Sequence, residues 1–294
     1  MDTATETFLA HRSLLFTVAY EMLGSAADAE DVVQETWLQW AGIGDAARSE
    51  VRDPRAYLVR IVTRQALNRL RSVSRRREEY VGEWLPEPLL TSPDVADDVE
   101  FAESVSIAML TVLETLGPDE RAVFVLREVF DVPYDEIAEA VGKSASTVRQ
   151  IAHRARGHVA ARRPRTAVSR REQQQVVERF LAALTTGNLQ GLLDVLAPDV
   201  VLVADGGGLA PAARHPVEGS DRVAAFLCRF PQLAPGAEIT TPPLNGAVAA
   251  WIDPAGELNT AVTFQFEGDR IVRIYAIRNP DKLGRLRKVA ELSR

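Results

Sequence analysis

The chain has 294 residues, 46% of them hydrophobic and 26% charged, with a formal net charge of −7 at neutral pH. That length allows two or three domains with cores of their own, and no apolar run approaches the ~20 residues that span a bilayer. The single cysteine, Cys228, excludes an internal disulfide and a cysteine-based zinc site, and the opening MDTATETF lacks the basic start and apolar centre of an export signal. A cytoplasmic protein with no membrane contact, no metal and no cofactor is expected.

From about Thr7 to Leu23 the apolar residues Phe8, Leu15, Val18, Ala19 and Met22 share one helical face, and Gly24 closes the run. Ser25 followed by Asp28 has the form of a capping box that opens a second helix, about Ala26 to Trp40. Its apolar face includes Val32, Val33, Trp37 and Trp40, while Asp28, Asp31 and Glu35 line the opposite side. Those acids read equally as solvated charge or as a docking face for a basic partner.

A loop rich in Gly and Ala leads to Asp53-Pro54, where proline suits the first turn of a long helix. Arg60, Arg64, Asn68, Arg71 and Arg75 follow at steps of three and four and form one stripe. Residues 60–77 hold seven arginines and no acid. Such a stripe matches a nucleic-acid backbone, where each neutralised phosphate also releases counterions. Tyr57, near the helix start, either stacks on an unpaired base or belongs to the core.

Residues 79–103 lose periodicity. The prolines in Val81–Pro88 favour extended chain, and Trp84 and Leu85 need a protein surface to cover them. Residues 78–120 contain twelve acids and no base, and Asp94 to Glu103 reads as a flexible tether. Helical spacing returns near Ser104 with Ala108, Val112 and Leu116, breaks at Gly117-Pro118, and resumes with Val123, Leu126 and Phe130.

The stretch 133–161 reads as two helices joined by a tight turn. Tyr134, Ile137, Ala138 and Val141 form an apolar face, Gly142 closes the first helix in a left-handed conformation, and Ser144 caps the second. Val148, Ile151, Ala152 and Ala155 point inward. Ser146, Thr147, Arg149, Gln150, His153 and Arg154 point outward, and Lys143 to Arg165 contains no carboxylate. This is the pattern of a helix-turn-helix that lays a basic helix in a major groove.

Beyond Ser169 the pattern becomes α+β. A helix to Thr186, a short helix at 189–196 and a helix from Ser220 to Phe230 accompany strands at 200–204, 237–241, 244–252, 257–267 and 270–278, with a final helix after Asn279-Pro280. Helices on a curved antiparallel sheet would make a cone with an internal pocket. Asp205 opens a turn of three glycines, Gly206, Gly207 and Gly208, which carries unusual backbone freedom. The glycine turn at Asp205 and the Arg-His-Pro setting of His215 favour structural roles for both residues. Phe226, Trp251, Phe264 and Tyr275 suit a ligand-lined pocket or an ordinary core alike.

The first 165 residues resemble an extracytoplasmic-function sigma factor of bacterial RNA polymerase. The resemblance rests on DAEDVVQETW (Asp28–Trp37), PRAYLVRIVTRQALNRLRS (Pro54–Ser72), LGPDERAVFVLREV and the helix-turn-helix, in that order. The tail resembles a SnoaL-like domain of the NTF2-like superfamily. WLPEP (Trp84–Pro88), DGGG (Asp205–Gly208) and NPDKL (Asn279–Leu283) together are similar to the SigJ-type factors that carry this fused extension.

The resemblance implies two all-α sigma domains followed by an α+β cone. Sigma region 2 would occupy 1–80, the acidic WLPEP linker 81–103, sigma region 4 residues 104–165, and the SnoaL-like regulatory domain 169–294. It assigns Asp28, Asp31, Glu35 and Trp37 to core RNA polymerase. Tyr57, Arg60, Arg64, Asn68, Arg71 and Arg75 go to the −10 element, and Ser146, Thr147, Arg149, Gln150, His153 and Arg154 to the −35 element. Thr63-Arg64-Gln65 departs from the family, where asparagine is common, so individual −10 base contacts do not transfer. Trp84, Leu85 and Pro86 are expected to pack on Asp205–Gly208 and on Asn279, Pro280, Asp281 and Lys282, setting how the promoter-reading modules sit. The expected function is promoter-specific initiation with core polymerase and promoter DNA as partners, no catalytic residue, and control in cis by the tail. A tail that senses a small-molecule ligand or acts as an enzyme, for which the SnoaL-like resemblance implies Asp205 and His215 as acid-base candidates, and a one-component transcription regulator, are the alternatives.

Overall fold

The computed structural model describes residues 3–162, 168–253, 255–256 and 259–294, except for the side chains of 73–78. The chain divides into two compact units. One comprises Met1–Glu78, Met109–Arg163 and Glu291–Arg294, the other Glu79–Ala108 and Pro164–Ala290.

The first unit opens with α1 (Thr3–Leu23), α2 (Ala26–Ala41), the short α3 (Asp45–Ser49) and α4 (Pro54–Glu78). Gly24 takes a left-handed φ of 65° between the first two, a conformation glycine adopts without a Cβ clash. Ser25 then caps α2 by accepting the Asp28 amide at 3.2 Å. Leu15, Val18, Val32, Leu58 and Val62 are fully buried between these helices. The Trp40 indole donates to the Ala4 carbonyl at 2.9 Å, which satisfies its one polar atom inside the core.

Next in sequence are α5 (Pro93–Asp97) and α6 (Val99–Val105), which belong to the second unit. Then come α7 (Ile107–Leu113), α8 (Pro118–Phe124), a π-helical turn at Val125–Val129, α9 (Tyr134–Val141) and α10 (Ala145–Ala160). Gly142 ends α9 at φ 69°, and the Ser144 hydroxyl accepts the Thr147 amide at 3.2 Å to open α10. Val148, Ile151, Ala152 and Ala155 are buried on the inner face. The helix-turn-helix has the geometry its Gly and Ser spacing predicts.

A buried arginine joins the two helical modules of this unit. Arg121 of α8 is 1% exposed, and its Nε and Nη2 donate to the Glu21 carbonyl at 3.1 and 3.0 Å. That carbonyl is among the last four of α1, which have no partner within their own helix. Nη1 pairs with the Glu114 carboxylate. Burial pushes the guanidinium pKa down to about 9, with Glu21 acting in the opposite sense, so Arg121 stays charged at neutral pH.

In the second unit the acidic linker is ordered, in contrast to the tether its composition predicts. Asp98 caps α6 by accepting the Phe101 amide at 3.1 Å. Val95, Ala96, Phe101 and Val105 are buried while Asp94, Asp97 and Glu100 stay exposed. Two amphipathic helices of five and seven residues are too short to show as a period in sequence.

The tail adds α11 (Arg170–Thr186), α12 (Leu189–Val195), β1 (Leu196–Asp205), β2 (Val217–Glu218), α13 (Ser220–Leu227) and α14 (Phe230–Leu233). It continues with β3 (Ile239–Thr240), β4 (Pro243–Leu244), β5 (Ala247–Ile252), β6 (Thr260–Glu267), β7 (Arg270–Ile277) and α15 (Pro280–Leu283). A capping box between Ser169 and Glu172 starts α11. The sheet order is β2-β1-β7-β6-β5-β3, with β4 on β5.

The sheet is mixed, which corrects the all-antiparallel expectation: β1 and β7 run parallel, pairing Val203 with Tyr275 and Asp205 with Ile277. These strands lie far apart in sequence, so no hairpin fixes their relative direction. The final helix is also shorter than expected, because Gly284 follows Leu283 and glycine weakens helix continuation.

Strand alternation divides the core in two. Val262, Phe264, Phe266 and Ile274 face Val176, Phe180, Leu192 and Val223 of the helices. On the opposite face Val203, Ala249, Ala261, Tyr275 and Ile277 pack with Leu85, Ile107, Leu283 and Leu286. The linker therefore supplies the cover of a sheet face. Among the described residues no helix is long and apolar enough to cross a membrane.

Candidate nucleic-acid interface and linker clamp

The basic helix α10 presents its outer face to solvent. Ser146, Thr147, Arg149, Gln150, His153 and Arg154 are all exposed. The Ser146 and Thr147 hydroxyls lie 2.9 and 2.8 Å from Ser144 Oγ, so the cap holds them at the helix start. Arg149 rests over the Tyr134 ring at 5.5 Å and lies 4.0 Å from the Asp135 carboxylate. Arg154 reaches Glu120 only at 3.8 Å. Long, exposed ion pairs of this kind are weak and yield readily to phosphate or base edges.

The stripe on α4 is formed but engaged. Arg60 pairs with Glu139 at 2.6 Å and lies 5.2 Å over the Tyr57 ring. Arg64 donates to the Glu139 carbonyl at 2.8 Å, and Arg71 pairs with Asp119 at 2.9 Å. Asn68 is exposed, and the Arg75 side chain lies outside the described residues. Tyr57 is half-buried, with its ring 5.7 Å from that of Trp40, so it belongs in part to the core.

On α2, Asp28 and Asp31 converge on Arg69, at 2.8 Å for Asp28 and closer still for Asp31. Partial burial lowers the Arg69 pKa, but the two carboxylates more than offset this and it lies above its ordinary value. Glu35 is exposed, and Trp37 is half-buried 5.1 Å from Phe8.

The expected linker contacts are assembled around one carboxylate. Asp205, at the end of β1, is fully buried. Its Oδ1 accepts the Tyr80 hydroxyl at 2.6 Å, and its Oδ2 accepts the Leu85 amide at 2.9 Å and Lys282 Nζ at 2.7 Å. Lys282 also donates to the Leu85 carbonyl at 2.5 Å and sits 4.1 Å over the Trp84 ring. Asn279 donates to the Tyr80 hydroxyl at 2.7 Å and caps α15 through the Asp281 amide. Pro86 is buried, whereas Pro280 and Asp281 are exposed.

The glycines of the turn have separate reasons. A Cβ on Gly206 would overlap the Ala210 carbonyl, and one on Gly207 would overlap the Asn279 side-chain amide. Gly207 and Gly208 also hold φ of 59° and 74°. Burial first, then the Asp205 carboxylate, raises the Tyr80 pKa well above its ordinary value, so the phenol remains a donor. His215, the other acid-base candidate, is exposed.

Sequence reading missed three participants. Tyr80 precedes the extended segment with no spacing to mark it. Arg69 lies off the arginine stripe. Asn245 is the third: fully buried, it accepts the Leu89 amide at 2.8 Å and donates to the Val105 carbonyl at 2.8 Å, pinning both ends of the linker helices. The Asn245-Gly246 dipeptide is a strong hairpin signal and could have drawn attention to this turn.

Family models for Sigma-70 region 2, Sigma-70 region 4 and the SnoaL-like domain match residues 7–76, 106–159 and 177–274. The chain is 43% identical over 225 residues to the ECF RNA polymerase sigma factor SigJ of Mycobacterium tuberculosis, covering 75% of this chain and 70% of that protein. It is 34% identical over 293 residues to the probable ECF RNA polymerase sigma factor SigI of the same species, covering 97% of each. The crystal structure of M. tuberculosis SigJ superposes with a TM-score of 0.76 at 34% identity, covering 96% of this chain and 99% of that one. With both sigma regions and a SnoaL-like tail in one order, and relatives alike over most of its length, the chain belongs to the extracytoplasmic-function sigma factors of RNA polymerase, in the SigJ-type group with a fused SnoaL-like domain.

Proposed function

We propose that this promoter-directing sigma factor is regulated in cis by its tail, which holds the linker between the two promoter-reading modules through Asp205. The carrying observation is that one buried carboxylate binds Tyr80, Leu85 and Lys282 together. A linker fixed at that point, and again at Asn245, restricts the separation that the modules can adopt. Tethered modules bind jointly only when the linker lets both reach their sites.

In this reading α10 meets the −35 element through Arg149, Gln150, His153 and Arg154, with Ser146 and Thr147 at the helix start. The α4 stripe of Arg60, Arg64, Asn68, Arg71 and Arg75, with Tyr57 beside it, engages the −10 element. Asp28, Asp31, Glu35 and Trp37 mark the α2 side that docks on core polymerase. Asp205 serves here as the anchor of the linker, its oxygens committed to Tyr80, Leu85 and Lys282.

The test is transcription in vitro with core polymerase, comparing the wild type with Trp84→Ala and with a chain lacking 170–294. Both variants should change transcript yield while still binding core polymerase. Unchanged promoter output in both would overturn the reading. Arg149→Ala should cost about 1–3 kcal/mol at one promoter position if it reads a guanine, and an equal loss on all sequences would reassign it to phosphate.

A second reading rests on a cavity of about 580 Å³ in the tail unit, bounded by Ala96, Val99, Ala102, Val248, Phe264 and Phe266. Its volume is within the range of small-molecule sites, and linker helix α6 forms one wall. A small apolar ligand there would act on the linker directly. Compounds that raise the unfolding temperature of the full chain, with the effect lost in Ala102→Trp, would support it.

A further inference from the structure

We propose that the arginine face of α4 is covered in the free protein by acidic side chains of the helix-turn-helix module, which stand where DNA phosphates would bind. This rests on the reading of α4 as a nucleic-acid face. Arg60 holds the Glu139 carboxylate at 2.6 Å, and Arg64 holds the Glu139 carbonyl at 2.8 Å. That carbonyl belongs to the last turn of α9, the end of a helix that attracts cations. Asp119 binds Arg71 through Oδ1 and Lys143 through Oδ2, both at 2.9 Å. One carboxylate thus joins a cation of the −10 face to a cation at the start of the −35 reader.

Burial pushes the Asp119 pKa up, but Lys143 and Arg71 more than offset this and it lies below its usual value. The carboxylate is therefore ionised and engaged at neutral pH. The two promoter faces differ in consequence. Arg149 and Arg154 on α10 are 58% and 67% exposed, with no carboxylate among the described residues closer than 3.8 Å. The α4 face has close ion pairs at Arg60 and Arg71.

Two features make the cover releasable. Glu139 is 65% exposed, and ion pairs so open to water are weak and screened by salt, whereas phosphate contacts gain from counterion release. A cavity of about 430 Å³ bounded by Tyr57, Arg60, Glu136 and Glu139 leaves the glutamate room to withdraw. The buried Arg121–Glu21 contact keeps the modules together without these surface pairs. Free protein would meet DNA through α10 alone, and the α4 face would open only when DNA or polymerase displaces the acids.

The experiment measures binding of the full chain, without polymerase, to a fluorescein-labelled DNA duplex of arbitrary sequence across a salt series. Asp119→Asn with Glu139→Gln should bind on the order of tenfold tighter, and its log–log salt slope should steepen by about 2 to 3 as roughly three phosphate contacts are gained. Glu178→Gln with Asp194→Asn removes the same charge far from α4 in sequence and should show no such gain. Adding Arg60→Ala and Arg71→Ala to the first pair should abolish the gain. Glu139→Gln alone, at an exposed side chain, gives a smaller gain and guards against misfolding of the pair. Equal effects of the acid pair and the charge control would overturn the proposal. If Arg60→Ala with Arg71→Ala also left promoter opening by the holoenzyme intact, the nucleic-acid reading of α4 would fail as well; impaired opening with a silent acid pair would refute the cover alone.

Discussion

Replacing Asp205 by asparagine isolates the clamp with almost no change in volume. The carboxylate is fully buried and meets the Lys282 ammonium at 2.7 Å, with the lysine side chain 11% exposed. Asparagine can still accept one or two of the three hydrogen bonds, but it leaves that ammonium buried without a counter-charge. Breaking a buried pair from one side costs about 3–5 kcal/mol, a large share of the ~5–15 kcal/mol that holds a typical domain folded. Lys282→Met should cost a similar amount by stranding the carboxylate, whereas both changes together remove both charges and should cost clearly less than the sum of the singles. Urea unfolding of the four proteins, followed through tryptophan emission, gives the coupling energy, and Trp84 beside Lys282 reports on the site itself. Strictly additive losses, with coupling below about 0.5 kcal/mol, would refute the assignment of Asp205 and Lys282 as one buried unit.

Three further outcomes follow from the same unit. Gly207→Ala should destabilise by at least about 1–2 kcal/mol, because its left-handed φ of 59° is costly for an L side chain and its Cβ would also displace Asn279; thermal unfolding that matches the wild type would contradict this. Asn245→Ala should lose about 2–4 kcal/mol by orphaning the buried Leu89 amide and Val105 carbonyl, and should expose 89–105 to proteolysis before the rest of the unit. The raised Tyr80 pKa has a definite sign: the protonated phenol is favoured in the folded state, so its contribution is complete below the ordinary value of 10.0 and declines as pH rises above it. Tyr80→Phe should remove that alkaline dependence, measured as the difference in unfolding midpoint between neutral and alkaline buffer.

The helix-turn-helix was legible because its determinants are local. A glycine at the left-handed position, a serine cap and a 3.6-residue apolar period act within a few residues, so Gly142, Ser144 and Val148–Ala155 behave as their spacing requires. The α4 stripe was legible for the same reason, since residues three or four apart share a helix face in any surroundings. Sequence alone also placed Trp84 and Leu85 against a surface, as large apolar groups in an acidic linker must find cover. What it could not supply was the identity of partners distant in the chain. That Arg60 meets Glu139, that Arg121 caps α1, and that β1 runs parallel to β7 are decided by packing between residues 72 or more positions apart. The acidic linker shows the difference most plainly: its composition specifies charge and weak helices, while burial of Val95, Phe101 and Val105, with Asn245 bonding at both ends, makes those helices an ordered part of the tail.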